Sequence, residues 1–301
     1  MLLAQTKALT ALVLDASNRR GNTERAIHMP DDRLLRVDEV PPYAQTQFVL
    51  SGYPKGPPRL GLLFTIHNET ANIHSHLLAA IWALWRCSLI VEYSPSAARS
   101  WCLLSSAGAC ICFSLSALAH TLGSGAILAS QKHHRMLWNL DLLGIECSIG
   151  ASLLTGLRWG YRCWPWAQAA YATIGAVLVV GAAYLSSAPF GSRGNKLFVG
   201  MSVCAVCVGA VAFLHWCAVA GAKDFADLFL PTLGMFACYA LGFLFYSQKP
   251  IERFGLHQNK LYIGSHFVWH CAMVAGVALW DSSLHHLLRN NRPWDYFSEC
   301  E

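Results

Sequence analysis

Residues 261–280 read LYIGSHFVWHCAMVAGVALW, and this stretch decides the fold class. It contains no Asp, Glu, Lys or Arg, and its length suits a helix that crosses a bilayer, since about 30 Å of hydrocarbon is spanned at about 1.5 Å per residue. Six similar runs precede it, at residues 73–93, 101–121, 137–157, 166–187, 197–220 and 228–247. Transmembrane barrels show alternating segments of about half that length. The pattern therefore predicts an all-α membrane protein, a bundle of seven transmembrane helices.

The composition supports a membrane protein. Only 13% of the 301 residues are charged, about half the share of an ordinary soluble chain. This composition excludes a disordered chain, a nucleic-acid-binding surface and a disulfide-stapled secreted domain. Gly150, Gly156, Gly175 and Gly181 fall within the apolar runs, where small residues let helices approach closely.

The distribution of Lys and Arg predicts the orientation of the bundle. Fifteen precede the first run or lie in the even-numbered loops, against six in the other loops and the C-terminal tail. Because such residues stay preferentially on the cytosolic side, the N-terminus is predicted to be cytosolic. The predicted organisation is a cytosolic segment over residues 1–72 with its first 35 or so disordered, a membrane domain over 73–281, and a non-cytosolic tail over 282–301.

A few ionisable side chains interrupt the apolar runs, and such residues are functional candidates because the bilayer disfavours them. Ser116 and His120 lie four residues apart, as do His266 and His270, so each pair shares one helix face. The predicted topology brings His120, Asp141 and the second pair to the cytosolic boundary. Three separate helices therefore contribute candidates at one depth.

Three imidazoles beside a carboxylate predict a zinc centre. Neutral histidine nitrogen is a preferred zinc ligand, and three protein ligands leave a fourth position for water. His120, His266 and His270 are the predicted ligands. Asp141 is predicted to act as a base or to orient a ligand, and Ser116 to donate a hydrogen bond to a ligand or to a developing oxyanion. The alternative is that these histidines only form hydrogen bonds between neighbouring helices.

Three further polar residues receive structural interpretations. His74 and His76 flank the start of the first helix and are predicted to form structural hydrogen bonds. Glu146 follows Asp141 by five residues, about 140° round the helix, so it is expected to point away from the zinc centre. It either lines the cavity or pairs with a polar residue of a neighbouring helix.

Seven motifs, in their order and spacing, resemble the progestin and adipoQ receptor family and its haemolysin III relatives. They are DEVP at 38–41, SGY at 51–53, HNETANIHSH at 67–76, SALAH at 116–120, DLLGI at 141–145, PIERF at 250–254 and GSHFVWH at 264–270. The resemblance implies seven helices with a cytosolic N-terminus and a zinc ion held by His120, His266 and His270 near the cytosolic side. It also implies that Asp141 meets the zinc through water, with Ser116 nearby.

Together with the open ligand set, the resemblance implies two alternative functions. The first is a zinc-dependent hydrolase of a ceramide-like membrane lipid, linked to lipid and zinc homeostasis. The alternative is a seven-transmembrane receptor for an extracellular protein or steroid, with a structural zinc. Transport is less favoured, because the polar cluster stays at one boundary and does not continue across the bundle. The plasma membrane and the endoplasmic reticulum are the two expected locations.

Overall fold

The computed structural model describes residues 34–55, 59–93, 96–125, 130–187, 191–220, 222–255 and 263–289. Within these residues, seven long helices follow one another along the chain. They are α1 (Thr70–Tyr93), α2 (Ser96–Gly125), α3 (Gln131–Gly160), α4 (Pro165–Ser187), α5 (Gly191–Val219), α6 (Ala222–Gln248) and α7 (Ser265–Arg289). Each contains a segment that is long and apolar enough to cross a membrane. The seven-helix bundle predicted from the apolar runs is thus confirmed.

The helices extend beyond the apolar runs at several ends. In α3, the hydroxyl of Ser130 accepts a hydrogen bond from the backbone N–H of His133, and this N-cap allows the helix to begin at Gln131 rather than at residue 137. Helix α7 continues to Arg289, past the expected end of the membrane domain at residue 281. The disorder predicted for the first 35 or so residues falls almost entirely outside the described residues.

The order of the helices around the bundle brings the first and seventh together. Helix α2 packs along both α1 and α3, α4 packs along α5, and α7 packs along α6, α1 and α2. Small residues permit these contacts: a Cβ atom added to Gly144 would lie 3.0 Å from the Cα atom of Cys112 in α2. Added Cβ atoms at Gly175 and Gly181 would collide with Leu153 and Met201, so the packing role predicted for these glycines is confirmed.

A layer of small and medium-sized side chains fills the space between α1, α2 and α7. We call this the central layer; its buried members are Ala79, Ala80, Ala83, Ala109, Cys112, Phe113 and Val277. A second, larger core lies near the opposite end of the bundle from the N-terminal segment and includes Trp159, Tyr161, Trp216 and Trp280. Cys163, in the turn between α3 and α4, is disulfide-bonded.

The segment before α1 has a fold of its own, which the sequence did not predict. Strand β1 (Leu35–Arg36) pairs antiparallel with β2 (Ser51–Tyr53). Tyr53 is fully buried in a small apolar cluster, and its hydroxyl accepts a hydrogen bond from the backbone N–H of Thr46. The backbone N–H of Asn68 donates to the carbonyl of Gly52, so the hairpin is tied to the start of α1.

Candidate metal centre

Three histidine side chains converge at the end of the bundle near the N-terminal segment. The Nε2 atom of His266 lies 3.2 Å from Nε2 of His120 and 3.1 Å from Nε2 of His270. His120 comes from the end of α2, and the other two come from the first turns of α7. Four tetrahedral ligands at the usual Zn–N distance have nitrogens about 3.3–3.4 Å apart. The group could therefore hold a metal ion.

The hydrogen bonds at the far side of two rings decide which nitrogen faces the centre. Nδ1 of His120 donates to a carboxylate oxygen of Glu69 at 2.9 Å, and Nδ1 of His270 donates to the backbone carbonyl of Asn72 at 3.2 Å. A neutral ring that donates from Nδ1 presents a bare lone pair at Nε2. Two lone pairs thus face His266, whose Nε2 atom carries at most one hydrogen, and a bound cation would satisfy all three nitrogens.

Glu69 lies directly before α1 and orients His120. One of its oxygens accepts from Nδ1 of His120 and, at 2.7 Å, from the side-chain amide of Asn72. Burial alone raises the pKa of this carboxyl, but the hydrogen bonds that it accepts from His120 and Asn72 lower the pKa to about 2. Glu69 is therefore a carboxylate at neutral pH. Such carboxylate–histidine pairs fix the orientation of metal ligands.

Sequence reasoning missed Glu69, because it occupies the middle of an N-x-T sequon and precedes the first helix. The signal that could have found it was its position. Glu69 lies three residues before Asn72, beside the end of α1 that is predicted to be at the same depth as the histidines.

Of the other two predicted site residues, Asp141 lies beside His120, and Ser116 precedes His120 in the same helix. The carboxylate of Asp141, buried at the start of the apolar part of α3, lies 3.7 Å from Nε2 of His120. Ser116 sits one helical turn before His120, almost fully buried, and its hydroxyl has no hydrogen-bond partner among the described residues. A buried hydroxyl without a partner is costly unless a ligand or water satisfies it.

The polar neighbours behave in part as predicted. His74 forms the expected structural hydrogen bond, to the carbonyl of Thr70 at 2.9 Å. His76 instead stacks its ring on that of His270, with centroids 3.6 Å apart and planes within 7°, so it supports a site residue by packing. Glu146 points away from the histidines, as predicted, and accepts a hydrogen bond from Ser202 of α5 at 2.6 Å.

A cavity of about 530 Å³ opens beside the histidines; charged and polar side chains line part of it, and we call it the polar cavity. It lies between the N-terminal segment and the ends of α2, α3 and α6, and its walls include His120, His266, Asp141 and Glu69. Arg135 and Lys249 also line it. The cavity thus gives access to the histidines from the end of the bundle at which the N-terminal segment lies.

Comparison with known proteins agrees with this architecture. The family model described as Haemolysin-III related matches residues 64–280 of the chain, from just before α1 to the second half of α7. The chain belongs to the haemolysin-III-related family. The match covers the five candidate site residues that the sequence predicted, together with Glu69, and it confirms the resemblance to the progestin and adipoQ receptors.

Members of the haemolysin-III-related family with curated descriptions show the same relationship over most of the chain. The mouse progestin and adipoQ receptor family member 3 is 25% identical over 287 residues, which cover 88% of this chain and 90% of the relative. The ADIPOR-like receptor IZH3 of Saccharomyces cerevisiae is 27% identical over 77% of the chain, and an uncharacterised protein of Schizosaccharomyces pombe is 25% identical over 85%. The chain spans 46% and 60% of the length of these two fungal relatives, respectively.

Proposed function

We propose that this protein is a zinc-dependent membrane hydrolase that cleaves the amide bond of a ceramide-like lipid. The observation that carries the proposal is the convergence of three Nε2 atoms next to a buried carboxylate, at the wall of a polar cavity. His120, His266 and His270 would hold the zinc. Three nitrogen ligands with an open fourth position are the usual protein contribution to a catalytic zinc site.

Zinc is supported by the chemistry of the donor set. Imidazole nitrogen suits this metal, the two Nε2 separations from His266 are close to those of tetrahedral coordination, and two of the three rings are held by second hydrogen bonds. When bound, zinc supplies a water of lowered pKa and polarises a substrate carbonyl.

The residues around the histidines would supply the proton transfers. Asp141 would accept the proton that the attacking water loses, and would return it to the amide nitrogen as the C–N bond breaks. Ser116 would donate its unpartnered hydroxyl hydrogen to the carbonyl oxygen as negative charge develops there. The products are a fatty acid and a sphingoid amine, so atoms and protons balance with one water consumed.

Space for the substrate is divided between two environments. The polar cavity would admit water and receive the head of the lipid. A second cavity of about 110 Å³, lined mainly by apolar side chains of α3, α5 and α6, offers room for part of an acyl chain inside the bundle.

The proposal is tested with purified protein whose zinc content is measured, and a fluorescent ceramide. We expect the wild type to release the labelled fatty acid, His266→Ala to lose both zinc and turnover, and Asp141→Asn to keep zinc but lose turnover. Glu92→Gln is the matched control, because Glu92 is exposed at the opposite end of α1. Turnover that persists in zinc-free His266→Ala would refute the proposal.

A second candidate function is a seven-transmembrane receptor with a structural metal, and the names of the relatives favour it. Both the yeast IZH3 protein and the mouse family member 3 carry the word receptor in their names. The ligand would be an extracellular protein or a steroid, and the protein would reside in the plasma membrane or the endoplasmic reticulum. Zinc-loaded wild type that hydrolyses none of several ceramides would favour this function over the hydrolase.

A further inference from the structure

Arg86 and Asp281 form an ion pair inside the bundle. The Nε atom of Arg86 in α1 lies 2.5 Å from Oδ2 of Asp281 in α7, and the two side chains are 12% and 7% exposed. Both residues fall within the membrane spans of their helices. The second carboxylate oxygen, Oδ1, accepts a hydrogen bond from the hydroxyl of Ser106 in α2 at 2.8 Å. A single carboxylate therefore joins α1, α2 and α7.

Net stability is a weak explanation for this arrangement. Charged groups within a membrane helix are disfavoured, and a buried ion pair contributes little net stability compared with apolar side chains that fill the same space. Buried polar groups have a better-attested use in fixing which residues of two helices face each other.

The three helices that Asp281 joins are the three that supply the metal ligands and the groups that orient them. Helix α2 carries His120, and α7 carries His266 and His270. Helix α1 contributes Asn72, whose carbonyl accepts from Nδ1 of His270, and Ser75, whose hydroxyl lies 3.1 Å from the same nitrogen.

The contacts between α1 and α7 have the same register at two levels of the bundle, the level of the histidines and the level of the ion pair. Ser75 meets His270, and Arg86 meets Asp281, and the partners in each pair are 195 residues apart in sequence. Eleven residues separate the two levels in each helix, which corresponds to about 16 Å along the axis and about 20° of rotation. The two contacts therefore share a helix face, and sliding α7 by one residue would break both.

The central layer lies between the two levels and connects them. Ala79 and Ala83 in α1, Phe113 in α2 and Val277 in α7 are buried together between the ion pair and the histidines. Closely packed interiors transmit displacements because they have few voids to absorb them. A change of register at Asp281 would thus reach the histidines.

We propose that Asp281 is a positioning residue, which fixes α1 and α2 against α7 so that the three Nε2 atoms converge. The inference rests on the proposed metal centre but not on the hydrolase chemistry. Asp281 touches neither metal nor substrate, and its effect is on the affinity and geometry of the metal site.

The test measures Zn²⁺ affinity by competition with a chromophoric chelator, and the absorption spectrum of the Co²⁺-substituted protein, in full-length protein in detergent. We expect Asp281→Asn to lower Zn²⁺ affinity about 2- to 30-fold, the range typical of residues that act on a site through packing, and to change the Co²⁺ spectrum. Glu146→Gln is the matched control, because it also removes a buried carboxylate that accepts a hydrogen bond from a serine. The native Glu146 carboxylate joins α3 to α5, and neither helix carries one of the three histidines. Its Zn²⁺ affinity and Co²⁺ spectrum are expected to match the wild type.

The double variant Arg86→Leu/Asp281→Leu separates the positioning role of Asp281 from the effect of leaving Arg86 unpaired. It also replaces Asp281→Asn in the test if that single variant does not fold. It leaves no unpaired charge in the membrane, so we expect a stable bundle with Zn²⁺ affinity still lowered about 2- to 30-fold. Wild-type Zn²⁺ affinity and an unchanged Co²⁺ spectrum in this variant would overturn the positioning role alone. A wild-type protein that binds no Zn²⁺ would overturn the metal centre as well.

Discussion

Replacing Glu69 tests how much of the metal affinity comes from outside the three ligands. Glu69 accepts the Nδ1 hydrogen of His120 at 2.9 Å and is itself held by the amide of Asn72 at 2.7 Å. Glu69→Gln keeps an oxygen that can accept the bond but removes the negative charge. Glu69→Ala removes the acceptor altogether and leaves the ring free to rotate.

The magnitude follows from the hydrogen bond. A bond to a charged partner contributes about 1.5–3 kcal/mol, and about 1.4 kcal/mol corresponds to a tenfold change in an equilibrium constant. Because Glu69→Gln retains part of the bond, we expect its Zn²⁺ affinity to fall about tenfold, and that of Glu69→Ala to fall about 100-fold, within the range typical of groups that orient metal ligands.

The assay is competition for Zn²⁺ against a chromophoric chelator, with protein that a chelator has first stripped of metal. Glu92→Gln removes an exposed carboxylate at the far end of α1 and controls for the loss of a negative charge. If folded Glu69→Ala bound Zn²⁺ as tightly as the wild type, the hydrogen bond between Glu69 and His120 would have no part in holding the metal.

Two further predictions concern packing and orientation. Gly144→Ala is expected to destabilise the bundle by about 1–3 kcal/mol, because the new methyl group would lie 3.0 Å from the backbone of Cys112, and backbone cannot rotate away. Thermal unfolding in detergent measures the loss of stability. Gly200→Ala is the control, since nothing lies within 4 Å of a Cβ atom at that position. Asn68 is expected to carry no glycan in cells, because its end of the bundle is predicted to face the cytosol and its side chain is buried; a mass shift on glycosidase treatment that Asn68→Gln abolishes would reverse the predicted orientation.

The helices and the histidines could be predicted from the sequence because each rests on a local pattern. Apolar runs have the length of a bilayer crossing, and spacing by four places two side chains on one face. Because successive transmembrane helices run in opposite directions, His120 and His270 could be placed at one depth before their contacts were known.

The remaining parts of the site depend on contacts between distant residues. Glu69 bonds to a histidine 51 residues away, and the stacking of His76 on His270 depends on how α7 is rotated against α1. No periodicity encodes these relations, since they arise from packing of one helix against another. For the same reason, the sequence predicted that Glu146 points away from the histidines but did not predict Ser202 as its hydrogen-bond partner.

The placement of the ligands in the second and seventh helices has a consequence for biosynthesis. His120 enters the membrane early, and its partner His266 follows 146 residues later, after four further helices have been inserted. A nascent chain therefore holds one ligand with no others until α7 leaves the translocation machinery. Under the proposed function, the three histidines can hold a metal together only once α7 has been made, so a polypeptide truncated before α7 would lack two of the three proposed ligands.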